Sequence, residues 1–170
     1  MPRVTYVQSA RKDNPAVKAG EPYYWWKFRH GGKRYSKIRP RPSQLTQSAY
    51  LSGIRSLVER VEDFDSADYE GFADFRDEIV ADLQELRDQC QDSLDNMPES
   101  LQYSPTGEML QERIDACDSA ESDIEGLDVD LYDENDYEDE DEAAEALDDI
   151  LQNCENAVSD MEDALSQCDL

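Results

Sequence analysis

The chain has 170 residues, enough for one ordinary domain or a modest domain with a small appended module, and 38% are hydrophobic, so a core is within reach. Its formal net charge is -26, from 42 acidic and 16 basic residues; such an imbalance costs stability through self-repulsion and is expected to serve binding. The N-terminus has no long apolar stretch and nowhere do 18 apolar residues run together. That argues against a secretory leader and a membrane span, and leads to the expectation of a cytoplasmic protein.

The charge is polarised along the chain. Residues 1 to 41 hold 11 Lys and Arg against Asp13 and Glu21, a net of +9, whereas residues 42 to 170 hold 40 acids and 5 arginines, a net of -35. No lysine follows Lys37, so the acidic part lacks the interspersed positive charge that normally damps such a field.

Val4 to Val7 reads as a short strand, and Ala10 to Gly20, with Asp-Asn-Pro inside it, as a loop. Residues 23 to 29, Tyr-Tyr-Trp-Trp-Lys-Phe-Arg, are rich in strand formers, and a turn at Gly31-Gly32 would return the chain along Lys33 to Arg39 as a β-hairpin. A two-residue turn pairs His30 with Lys33, Phe28 with Tyr35, Trp26 with Lys37 and Tyr24 with Arg39, all on one face. Arg39-Pro40-Arg41-Pro42 is then extended and reads as a hinge, because a residue before proline is pushed out of helical geometry.

With Ser43 as N-cap, Leu45, Tyr50, Ile54, Leu57, Val58, Val61 and Phe64 predict a helix over about 43 to 64. Phe72, Phe75, Ile79, Leu83, Leu86, Cys90, Leu94 and Met97 follow an eleven-residue period that ends at Pro98, which predicts a straight bundle helix. Leu110, Ile114, Cys117, Ala120, Ile124 and Leu127 mark a third helix stopped near Gly126, and Ala143 to Cys168 a fourth. The expected fold is therefore mainly α, an antiparallel bundle of about four helices over 43 to 170, with a β-hairpin module over 1 to 42. All four cysteines, Cys90, Cys117, Cys154 and Cys168, fall on apolar stripes and make no C-x-x-C pair, so they read as buried, reduced and without a metal.

The most concentrated charge is an acidic linker at 128 to 142. It comprises Asp128, Asp130, Asp133, Glu134, Asp136, Glu138, Asp139, Glu140, Asp141 and Glu142, and these are the candidate partner-binding carboxylates. If helical it would space its charges about 2 Å apart along the axis, near the roughly 1.7 Å of duplex DNA; if extended, about 5 Å. A calcium loop fits poorly, because Asp133 stands where an EF-hand needs its sixth-position glycine, Tyr132 occupies the fifth position, and Asp139 replaces the closing glutamate. Loose screening by divalent cations remains.

In the N-terminal module, Tyr24, Trp26 and Phe28 are candidates for stacking on bases, and Lys33, Arg34, Lys37, Arg39 and Arg41 for neutralising phosphates. The same aromatics also suit the core of a small module, and the same cations suit docking on the protein's own carboxylates, within one chain or in a homodimer. Catalysis is not expected. His30 is the only histidine, beside a Gly-Gly turn, no G-x-S-x-G, P-loop or H-E-x-x-H sequence occurs, and no cofactor is called for.

In residues 20 to 26 (Gly-Glu-Pro-Tyr-Tyr-Trp-Trp), 31 to 34 (Gly-Gly-Lys-Arg) and 40 to 48 (Pro-Arg-Pro-Ser-Gln-Leu-Thr-Gln-Ser), the chain resembles small uncharacterised phage and prophage proteins. In some of those this block looks like a zinc ribbon with paired cysteines. Here no cysteine precedes Cys90, and Ser36 and Arg39 stand at the C-x-x-C-like spacing after the hairpin, so the resemblance implies a degenerate ribbon without metal. It covers about 45 residues and implies a phage setting, in which strong acidity invites comparison with DNA-mimic inhibitors of host defence. The expected function is thus a non-enzymatic interaction protein whose acidic body blocks a basic, nucleic-acid-binding surface of a host protein. The alternatives are a nucleic-acid-binding adaptor working through the hairpin, and a virion or assembly protein.

Overall fold

A computed structural model of the chain describes residues 1–132 and 139–170. By its internal contacts the chain divides into two compact units, Met1–Gly53 and Ile54–Leu170. The first takes in residues beyond the expected module end at 42, and the division falls inside a helix.

The first unit is built on a three-stranded antiparallel sheet, β1 (Thr5–Val7), β2 (Tyr23–Lys27) and β3 (Lys33–Ser36), with β2 in the centre. The expected hairpin is therefore widened by the short N-terminal strand, which aligns Tyr6 with Tyr24. The loop from β1 to β2 is organised by its own polar side chains: Asn14 Oδ1 accepts from the N–H groups of Ala16 and Val17, and Asp13 Oδ1 from that of Ala19. Gly20, at φ 94°, takes the left-handed conformation that lets its N–H reach the carbonyl of Ala10 at 2.8 Å.

The register between β2 and β3 differs from the expected one. Trp26 lies opposite Arg34, not Lys37, and Tyr24 opposite Ser36, not Arg39. The connection is not a two-residue Gly-Gly turn but the five residues from Phe28 to Gly32, held by a 2.9 Å hydrogen bond from Gln47 Nε2 to the His30 carbonyl. The pairing slips by three residues, and an odd slip moves every side chain of β3 to the other face. Lys33 and Tyr35 consequently share a face with Trp25 rather than Trp26.

The expected helix over 43 to 64 is also divided. Arg41 is extended (φ -77°, ψ 161°), as a residue before proline should be, and Pro42–Leu45 forms one 3-10 turn. Thr46 returns to extended geometry, and α1 (Ala49–Glu62) begins only after Ser48, whose Oγ accepts from the Leu51 N–H at 3.3 Å. The cap is therefore Ser48 and not Ser43.

The second unit is a helical bundle. After α1 come α2 (Phe72–Asp95), a four-residue α3 (Glu99–Gln102), α4 (Pro105–Glu125) and α5 (Glu140–Ser166). The eleven-residue stripe of α2 lies inward as expected, with Ile79 and Leu83 fully buried. α4 packs against both α2 and α5. It runs antiparallel to α2, because Arg87 reaches Asp118 and Glu121 near one level while Arg76, close to the start of α2, donates to the carbonyl of Leu127 beyond the end of α4 at 2.7 Å. At the α1–α2 corner Phe64 stacks on Phe75 with centroids 4.4 Å apart and meets Phe72 edge-on at 6.2 Å. Gly126 caps α4 as expected, but at φ -75° it does not use the left-handed freedom of glycine.

The four cysteines are buried. Burial pushes the thiols of Cys90 and Cys154 up, and a hydrogen bond with Cys117 together with burial does the same for Cys168. A group whose folded pKa is raised supports folding fully below its unfolded pKa and loses that support as pH rises, because the unfolded chain releases thiol protons that the folded chain retains. Two results are expected: a thiol reagent leaves the native protein unlabelled and modifies it on unfolding, and the denaturant midpoint falls as pH rises past the ordinary thiol range. Rapid labelling of native protein at neutral pH would contradict the first, and a flat midpoint the second.

Candidate interaction surfaces

In the helical unit the arginines are spent within the fold. Arg55 pairs with Asp169 at 2.9 Å; Arg60 pairs with Asp82 and with Glu78 at 3.2 Å. Arg76 pairs with Asp77, and Arg87 bridges Asp88, Asp118 and Glu121 at 2.7 to 3.1 Å. Arg113 reaches the Leu170 carbonyl at 3.4 Å. Each such pair is worth little at an exposed position, but their distribution decides where charge is left over. Among the described residues, no arginine pairs with a carboxylate of α5 between Asp141 and Asp163.

That stretch of α5 exposes eight carboxylates: Asp141, Glu142, Glu145, Asp148, Asp149, Glu155, Asp160 and Asp163. At the helical rise they occupy about 33 Å of axis, roughly one charge per 4 Å, close to the roughly 3.4 Å between phosphates of a single DNA strand. The two-strand density of duplex DNA would need a second row, and α4 carries exposed Glu112, Asp115, Asp118 and Asp123.

Of the carboxylates expected to bind a partner, Asp128 and Asp130 are exposed in irregular chain, on either side of buried Val129. Asp133, Glu134, Asp136 and Glu138 lie outside the described residues. Asp139 is the N-cap of α5, its Oδ1 accepting from the Asp141 N–H at 3.0 Å. Glu140 opens the helix, and Asp141 and Glu142 follow in its first turn, where the helix dipole favours negative charge. The described part of the run thus joins irregular chain to helix, and the longer array on α5 beyond 142 lies outside that expected set. It was readable as the polar positions between Ala143, Leu147, Ile150 and Cys154.

In the N-terminal unit the predicted aromatic platform is rearranged. Trp26 is only 5% exposed, so it is a core residue and not a surface for stacking on bases. Tyr24 and Phe28 are half-buried, and the Tyr24 ring lies 5.0 Å from that of Tyr6. Lys33 sits over Trp25 with its Nζ 4.4 Å from the ring centroid, a cation–π contact on the other face. Lys37 reaches Glu21 at 3.8 Å through largely exposed side chains, while Arg34, Arg39 and Arg41 are exposed. Lys27 lies directly opposite Lys33, a like-charge pair that an ordinary sheet avoids. No family model, curated protein or solved structure matches the chain.

Proposed function

We propose that the helical unit is a polyanionic binding body that occupies a basic, nucleic-acid-binding surface of a partner protein and inhibits it by competition. The observation that carries this reading is the segregation of charge: the unit's arginines are consumed internally, and α5 presents a row of carboxylates at phosphate-like spacing that, among the described residues, has no paired arginine. In the phage setting implied by the N-terminal block, the partner is a host protein, and host defence is a fitting target.

The test is affinity purification from host extract at low salt with nuclease treatment, followed by competition between DNA and the recovered protein for this chain. Complementary charge speeds encounter and is screened within about 8 Å at physiological ionic strength, so binding should fall steeply as salt rises. DNA should displace the chain from its partner. A partner held equally well at low and high salt, or one that binds DNA and this chain simultaneously, would overturn the reading.

A further inference from the structure

The two faces of the N-terminal sheet differ in character. Trp26 belongs to the core, and on the other face Tyr23, Trp25 and Lys27 follow one another at alternate positions of β2. The β3 residues Lys33 and Tyr35 stand opposite Lys27 and Trp25 and share that face. The three rings are half-buried, so part of each is open to solvent, and the two lysines are exposed. The Tyr23 and Tyr35 ring centroids are 6.0 Å apart, and the Lys33 ammonium rests 4.4 Å from the Trp25 centroid. Lys27 and Lys33 repel each other across the ladder, and among the described residues neither pairs with a carboxylate, in a protein that has 42. Glu21 is already committed: its Oε2 accepts from the Lys18 N–H at 2.9 Å, and its Oε1 lies 3.8 Å from the Lys37 ammonium.

We infer that this face binds single-stranded nucleic acid, with bases stacked on Trp25 and the two tyrosines and a backbone phosphate held between Lys27 and Lys33. Charge and rings decide the occupant together. A phosphate between the two ammonium groups turns their repulsion into a shared attraction and supplies the anion that the fold leaves out. An acidic protein segment would serve the lysines equally well but has no use for three adjacent rings, whereas every base has a flat face to lay on them. A duplex keeps those faces inside its own stack, which selects the single strand. The cation–π contact is the arrangement of the free protein: at an exposed position it is weaker than a stacked base, so a base takes the Trp25 ring and Lys33, on its flexible stem, swings to the phosphate. Residues 1 to 41 carry a net of +9, which draws a polyanion to this end of the chain. The face belongs to the N-terminal unit and does not depend on the reading of the acidic helices.

The test uses the full-length chain at low salt with three probes: an oligothymidylate of about ten nucleotides, a duplex of the same length, and polyglutamate as a polyanion without bases. The single strand should bind, quench tryptophan fluorescence, and hold more tightly than either of the other two. Trp25→Leu should weaken it by about tenfold, the worth of one stacked base, and leave its salt dependence unchanged. Lys27→Gln together with Lys33→Gln, at exposed positions where the change removes a repulsion and spares the fold, should also weaken it by about tenfold. That double variant should in addition flatten the slope of log affinity against log salt by about 0.7, the share of one phosphate. If Trp25→Leu fails to fold, the double variant still decides. A single strand that does not bind, a duplex that binds as tightly, or a double variant that binds as the parent does would overturn the inference, and equal binding of polyglutamate would overturn it in favour of an acidic protein. None of these results bears on partner binding by α5.

Discussion

Gly107→Ala lowers the stability of the helical unit by about 2–3 kcal/mol, a typical cost of forcing extra volume into a packed site. Ser104, extended at φ -84° and ψ 164°, caps α4, with its Oγ accepting from the Gly107 N–H at 3.4 Å, and Pro105 opens the first turn. Gly107 is buried, and a Cβ placed on it would collide with the backbone carbonyl of Gln102 at the end of α3. That obstacle is main chain and cannot rotate aside. Gln102 is itself tied to the end of α2 through Nε2 bonds to the carbonyls of Leu94 and Met97, at 3.4 and 3.2 Å. The substitution therefore wedges apart the connection that sets α4 against α2. Gly32→Ala is the control, since nothing lies within 4 Å of its added Cβ and its φ is not in the left-handed range. Urea unfolding of both variants measures the difference, and a Gly107→Ala midpoint indistinguishable from that of Gly32→Ala would show that the connection yields.

Neutralising four exposed carboxylates of α5 together, as Asp148→Asn, Asp149→Asn, Glu155→Gln and Asp160→Asn, lowers partner affinity without lowering stability. The four side chains are exposed and none pairs with an arginine, so their removal breaks no ion pair and relieves repulsion along the helix. The unfolding midpoint stays level or rises, with a change inside about 1 kcal/mol. At roughly 0.5 kcal/mol for each exposed charge pair lost with a basic partner, affinity falls by about 2 kcal/mol, or some thirtyfold. Isothermal titration at low salt reads the second quantity. Loss of binding without loss of stability separates recognition from folding; unchanged affinity would move the binding surface away from α5.

The helical stripes were legible because burial against one side repeats at helical spacing. Phe72, Ile79, Leu83 and Cys90 appear in the sequence as they appear in the core, and Pro98 marks the end of α2 within three residues of the last helical position, Asp95. Less was legible where two local signals compete. Ser43 and Ser48 are both good caps, and the choice fell to Ser48 because Thr46 takes an extended conformation between them. In the sheet, Gly31-Gly32 is the conventional signal for a tight hairpin, yet Gln47, distant in sequence, holds the longer loop by bonding to His30. The candidate aromatics were identified as a group, but their roles depended on that register: Trp26 went to the core and Trp25 to Lys33.

The sequence by itself determined that a basic, aromatic N-terminal segment precedes an acidic helical body, because charge content and hydrophobic period are local properties that no packing can alter. Tertiary structure alone decided which charges remain available. Whether an arginine faces solvent or a carboxylate 31 residues away, as Arg87 faces Asp118, is fixed by how α2 and α4 align; among the described residues that placement leaves the exposed carboxylates of α5 without an arginine, as it does Glu112, Asp115 and Asp123 of α4.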